Sequence, residues 1–365
     1  MKIGILTFSA AENYGAILQA YSLQEFLNGY GHEVYMIDYR PDYLIDKTTS
    51  LFLCGKIKAL KSWIRSVIVY PQKIKRKFNF KKFERNNLNL YKLDFEDSKN
   101  DFEAFVFGSD QIWNPLLTHG IDNVFLGNMP AFDKKLKISY AASCGDIKNL
   151  INYGNYCSYI ANFNYIGVRE NELKYFIEKH CNRDDAYVVL DPVLLNKKHV
   201  LQKFVSNKTS HNKYVLSFSL YNDGVVHEIA RRIADEKNII LIEVISNGET
   251  IFDRSIKTSL SVNELLTYFW YAEYVVSSSF HGNALALLFN KDFTAVVTDR
   301  AKGVRIEELL SRFGLRSRIV YNLEEKADTS DINYESVENV LDEYREYSKS
   351  FLNNVLKDKN KIQNG

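Results

Sequence analysis

Residues 274–289, YVVSSSFHGNALALLF, hold the side chains best placed in this sequence to do chemistry. The apolar run Tyr274–Val276 reads as a buried parallel strand. It stops at Ser277, Ser278 and Ser279, passes through Phe280-His281-Gly282, and gives way to an alanine- and leucine-rich helix from about Asn283. In an open α/β sheet, ligands sit beyond the carboxyl ends of the strands, where helix N-termini present free N–H groups. A histidine at such a turn can exchange a proton near neutral pH, or answer the charge of a phosphate or carboxylate. The same ring could instead cap the helix or pack beneath it.

Other strand ends carry further candidates. Arg169 directly follows the apolar run Tyr165–Val168. Its planar fork suits a carboxylate or phosphate, although Glu170 beside it would also make an ordinary ion pair. Asp110 lies in the loop GSDQIWNP together with Trp113, whose ring could stack on a sugar or fill a gap between domains. Arg305, after Lys302-Gly303, stands at the start of a helix and could meet a diphosphate or be solvated. Asn13 and Tyr14, in the loop before the first helix, could help bind an anion or sugar through backbone N–H groups. Asp191-Pro192 reads as a turn. Neither G-x-G-x-x-G nor a Walker sequence occurs, which disfavours nicotinamide and P-loop readings.

The elements that must position these residues alternate regularly. Strands are expected near 2–8, 33–38, 105–107, 137–141, 165–168 and 187–190, then 214–218, 239–245, 274–277, 293–297 and 318–320. Helices fall near 15–28, 223–236, 261–272, 283–290 and 304–313, with Ser261 and Glu264 forming a capping box. This pattern, in 365 residues, predicts two Rossmann-like α/β domains, 1–195 and 196–325. A last amphipathic helix in 326–365 would pack back toward the first domain. Residues 44–87 interrupt the rhythm with a lysine- and arginine-rich helical insertion, which is either a solvated face or, through 55–82, a peripheral contact with a membrane surface.

Composition narrows the class. With 46% hydrophobic residues the chain can build full cores, and a net charge of +2 argues against a dedicated nucleic-acid binder. The four cysteines, Cys54, Cys144, Cys157 and Cys181, are scattered without metal-ligand spacing, so reduced thiols, a cytoplasmic setting and chemistry without metal or cofactor are expected. No run approaches the length of a membrane span.

Taken together, GILTFSAAENYGAILQAYSLQ, FVFGSDQIWNP, SYAASCG, GVREN, VVLDPVLL, VVSSSFHGNALALLFNKDF and VRIEELLSRFGL resemble, in order and spacing, the polysaccharide pyruvyl transferases over about residues 3–325. The resemblance implies two Rossmann-like domains facing a cleft, similar to glycosyltransferases of the two-domain B type. It also implies transfer of the enolpyruvyl skeleton of phosphoenolpyruvate onto sugar hydroxyls of a surface or exported glycan, lipid-linked or free, at the inner face of the membrane or in the cytoplasm. His281 matches the family's histidine, the general acid, and Arg169 its phosphoenolpyruvate-binding arginine. Ser277–Ser279 would add donors to the anion and Asp110 would take the acceptor's proton. Many members carry an arginine where this chain has Ser279, which leaves open a nucleotide-sugar glycosyltransferase or a non-catalytic sugar-binding protein.

Overall fold

The computed structural model describes residues 1–44, 59–151, 155–207, 212–247 and 256–357. Short apolar runs rich in Ile, Val and Phe become fully buried strands, as expected for parallel sheets covered on both faces. The first sheet contains β1 (Lys2–Leu6), β2 (Glu33–Ile37), β3 (Leu90–Tyr91), β4 (Ala104–Phe107), β5 (Leu136–Ala142), β6 (Tyr165–Val168) and β7 (Ala186–Val188), in the order β3-β2-β1-β4-β5-β6-β7. The second contains β8 (Tyr214–Ser219), β9 (Ile240–Ile245), β10 (Ile256–Lys257), β11 (Tyr274–Ser277), β12 (Asp292–Val296) and β13 (Ile319–Val320), in the order β10-β9-β8-β11-β12-β13. Pairing is parallel throughout both sheets. Each sheet reverses its strand order once, between β1 and β4 and between β8 and β11. Crevices open at such reversals, beyond the strands' carboxyl ends.

The two α/β domains share a core. One apolar cluster runs from Ile3, Ile5 and Ile17 of the first, through Leu190 and Leu194, to Leu216, Leu265 and Leu285 of the second. Tyr14, at the start of the helix Tyr14–Gly29, is buried and donates its hydroxyl to the Leu260 carbonyl across the junction at 2.7 Å. The helix Tyr334–Lys357 returns to the first domain. There Ser348 Oγ accepts from the Leu190 N–H at 2.9 Å, and Phe351 lies against Tyr140 and Tyr187.

Some expectations change. Of the insertion at 44–87, residues 45–58 lie outside the described residues, and Ala59–Asn87 is one helix with Pro71 inside it. Cys157 and Cys181 are not reduced thiols but a disulfide. Cys157 lies in the helix Tyr156–Ile160 and Cys181 caps the helix Asn171–His180; the chain's return through β6 brings their Cα atoms to 4.6 Å. The short edge strands β3 and β10 were not foreseen.

Candidate functional site

Asp191 is the centre on which the candidate residues converge. It follows β7 and caps the short helix Pro192–Leu195, its Oδ1 accepting from the Val193 N–H at 3.0 Å. Its other oxygen, Oδ2, accepts from Arg169 Nη1 at 3.0 Å and from Ser109 Oγ at 3.1 Å. The Nε2 atom of His281 lies 3.6 Å from that same oxygen, beyond hydrogen-bonding reach, and has no hydrogen-bond partner. Burial alone would raise the Asp191 carboxyl, but His281 and then Arg169 outweigh it and hold the group well below the usual carboxylate range.

His281 reaches this point from the second domain. The helix after β11 begins at Phe280, not near Asn283, because Ser279 caps it with its side chain facing the Gly282 N–H. His281 therefore sits in the first helical turn. Two glycines make room for the arrangement. A methyl built on Gly15, in the first turn of the helix Tyr14–Gly29, would lie 2.1 Å from His281 Nδ1, and one on Gly282 would lie 2.1 Å from Ser277 Oγ. Only a hydrogen at Gly15 lets the imidazole lie against the first domain.

Arg169 is almost fully engaged. Besides Asp191 it binds Glu170 through Nε at 2.9 Å, and its guanidinium lies 4.6 Å from the centroid of the Phe280 ring. Nη2 alone is left, buried and without a partner, and Glu170 Oε2 is likewise unpaired. Arg312 Nη2 donates to the Arg169 carbonyl at 2.8 Å, and Glu308 accepts from the Asn171 N–H at 2.9 Å, so the second domain grips the end of β6.

The remaining candidates fall into other settings. Trp113 is fully buried in the first domain's own core against Phe163, its indole donating to the Phe125 carbonyl at 3.2 Å. It can neither stack on a sugar nor fill the junction between domains. Asn13 caps the first helix by accepting from the Gly15 and Ala16 N–H groups, and Tyr14 ties the domains together. Ser277 donates to the Phe218 carbonyl. Asp110 has a φ of 76°, its carboxylate accepting from the Gln111 N–H, and it adds to the negative potential at Arg169 and Arg305.

A cavity of about 650 Å³ opens between the domains. Ser278 and Arg305 line it, with Gln111, Asp146, Tyr221 and Asp223; neither His281 nor Arg169 does. Burial, then the neighbouring Arg169 charge, holds the Arg305 guanidinium below its ordinary pKa. Its fork faces the Gln111 amide at 3.0 and 3.2 Å when that amide presents its oxygen. Among the described residues no cluster of His, Cys, Asp or Glu could hold a metal ion. Cys144 is buried, and burial followed by Glu170 pushes its thiol well above the usual range, so it is no nucleophile.

Two features of this centre were not singled out from the sequence as functional. Asp191 read as a turn residue, and Gly15 read only as part of the loop 11–16 that could bind an anion or sugar through backbone N–H groups, not as the position that makes room for His281.

The family described as polysaccharide pyruvyl transferase matches residues 13–300. No curated protein matches the chain. Among solved structures, UDP-N-acetylglucosamine 2-epimerase from Rickettsia bellii is similar at 11% identity, over 98% of this chain and 96% of that one, with a TM-score of 0.52. UDP-GlcNAc 2-epimerase from Neisseria meningitidis bound to UDP-GlcNAc follows at 9% identity, 99% and 96% coverage and a TM-score of 0.47. The glycosyltransferase SnogD from Streptomyces nogalater is similar at 9% identity, over 100% and 97% of the two chains, with a TM-score of 0.39. At 11% identity the likeness to the Rickettsia bellii structure is one of fold alone.

Proposed function

This chain belongs to the polysaccharide pyruvyl transferase family, and on that premise we propose that it moves the enolpyruvyl skeleton of phosphoenolpyruvate onto hydroxyls of a glycan. One observation carries this reading. Arg169 Nη2 and His281 Nε2 are both buried and unpartnered, on two side chains that approach the same Asp191 oxygen, Arg169 through its Nη1 and His281 through Nε2 itself. Unpaired buried donors carry a desolvation cost, which a bound anion would relieve.

In this scheme His281 protonates the methylene carbon of phosphoenolpyruvate, and a sugar hydroxyl attacks the cation-like carbon that results. A second hydroxyl then displaces phosphate to close the ketal. A positioned acid of this kind contributes about 10²–10⁴-fold. Asp191 offsets the charge of the ring, while Arg169 and Arg305 offer positive charge to the donor's carboxylate and phosphate. Ser278, at the cavity wall, would add a hydroxyl donor.

A nucleotide-sugar donor is the second reading, favoured by the cavity itself. Arg305 and the start of the helix Gly224–Lys237 line it, and His281 does not. Phosphate release from phosphoenolpyruvate with a panel of sugar acceptors, alongside product mass, separates the two. His281→Gln should abolish release yet still bind phosphoenolpyruvate in calorimetry, whereas Arg169→Ala should weaken binding about ten- to a hundredfold through the lost charge-assisted contact and also destabilise the fold, because buried Asp191 and Glu170 lose their partner. Wild-type turnover by the glutamine variant would remove His281 as the acid. Wild-type protein that ignores phosphoenolpyruvate but binds a UDP-sugar would favour the second reading.

A further inference from the structure

Over residues 71–87, the helix Ala59–Asn87 presents two contrasting sides. Its inner side is bound to both domains. Arg76 donates to the Glu12 and Ser246 carbonyls, Asn79 Nδ2 donates to the Ser259 carbonyl at 3.1 Å, and Phe80 and Phe83 enter the shared core. The outer side consists of Pro71, Ile74, Lys75, Phe78, Lys81, Lys82 and Arg85, all exposed. Their spacing of three and four residues puts them on one stripe. Ile74 is 48% exposed and Phe78 64%. Glu84 is the one carboxylate in residues 71–87, and it is buried against Arg40 at 2.6 Å.

Single exposed apolar side chains are commonplace. Here, however, an aliphatic and an aromatic side chain stand one turn apart among four cations, with no exposed anion on the stripe. Like charges at Lys81 and Arg85, also one turn apart, repel one another in water. A surface that both neutralises cations and accepts apolar groups would match this face, and the boundary between headgroups and acyl chains in an anionic bilayer offers both. We propose that this face docks the protein on an anionic membrane surface. Ile74 and Phe78 enter the boundary, and Lys75, Lys82 and Arg85 meet headgroup phosphates and carboxylates. The protein lies on the bilayer through this helix, since no helix among the described residues is long and apolar enough to cross one. The same helix borders the loop Ser9–Glu12 after β1, where Lys77 and Lys81 line a small cavity with that loop, so docking brings a strand end of the first domain close to the lipid.

The test is flotation of the full chain with vesicles of phosphatidylcholine alone or with added phosphatidylserine. Binding should require phosphatidylserine and fall as salt is raised. Phe78→Ser should lower it about tenfold or more. Neutralising Lys75, Lys82 or Arg85 to Gln should each cost about fivefold. Because these side chains are exposed, thermal melts should match wild type, and turnover on soluble acceptors should be unchanged. Equal binding to both vesicle types, or full binding by Phe78→Ser, would overturn the proposal. So would retention of single-stranded RNA with vesicles left unbound, or a dimer that Phe78→Ser dissociates. Vesicle binding needs no turnover, so this result stands apart from the fate of the pyruvyl-transfer reading.

Discussion

Gly15→Ala tests whether the position of His281, and not merely its presence, makes the site. The added methyl would stand 2.1 Å from Nδ1, 2.4 Å from Cγ and 2.7 Å from Cε1 of the ring, where ordinary contact begins at 3.4 Å. With the first helix fixed by its core, the imidazole must retreat by the difference, 3.4 − 2.1 = 1.3 Å. A displacement of about 1 Å at a reacting centre costs on the order of a hundredfold in rate. Stability should change less. Overpacking costs about 1–3 kcal/mol, and replacing a helical glycine by alanine returns about 0.5–1 kcal/mol. Gly29 supplies the control on the same helix, because a methyl there meets nothing within 4 Å. The assay is kcat and KM for phosphoenolpyruvate beside a thermal melt. Gly15→Ala should lose about a hundredfold in kcat while folded, and Gly29→Ala should match wild type. A folded Gly15→Ala protein with wild-type kcat would refute the claim that this close approach sets the chemistry.

Since the Asp191 carboxyl is held below its usual range, its stabilising effect is complete above the unfolded value of about 4 and lost as pH falls through the folded one. Asp191→Asn should therefore flatten the acid limb of a stability–pH curve and cost about 3–5 kcal/mol at neutral pH; an unchanged acid limb in denaturant titrations would contradict this. Trp113→Ala should destabilise the fold by about 3–5 kcal/mol while leaving KM for a sugar acceptor unchanged in whatever fraction remains folded. A selective rise in acceptor KM without loss of stability would restore the stacking role.

The sequence reads well where one local pattern decides. Buried parallel strands such as Tyr274–Ser277 are continuous apolar runs, and the capping box at Ser261 and Glu264 forms as expected. It reads poorly where several local choices compete. Three consecutive serines could each cap the following helix, and only packing selects Ser279, which moves the helix start to Phe280 and His281 into its first turn. Trp113 has the same residue type whether it stacks on sugar or fills a core. Asp191 does shape a turn, but its three other neighbours, Ser109, Arg169 and His281, come from β4, β6 and β11 ends that only the folded sheets bring together. No spacing rule spans those distances.

The Gly15–His281 contact also bears on how such a protein can change by recombination. The donor of the imidazole and the side that receives it are encoded far apart, on halves that a crossover near residue 200 would separate. A second half from a relative is compatible only if its histidine arrives at the height Gly15 leaves free and finds the Asp191 oxygen beside it. Exchange of halves must therefore satisfy this close approach together with the Tyr14–Leu260 and Arg312–Arg169 contacts across the junction. Chimaeras that keep the glycine and the aspartate with an incoming histidine of the same reach form the set open to inheritance.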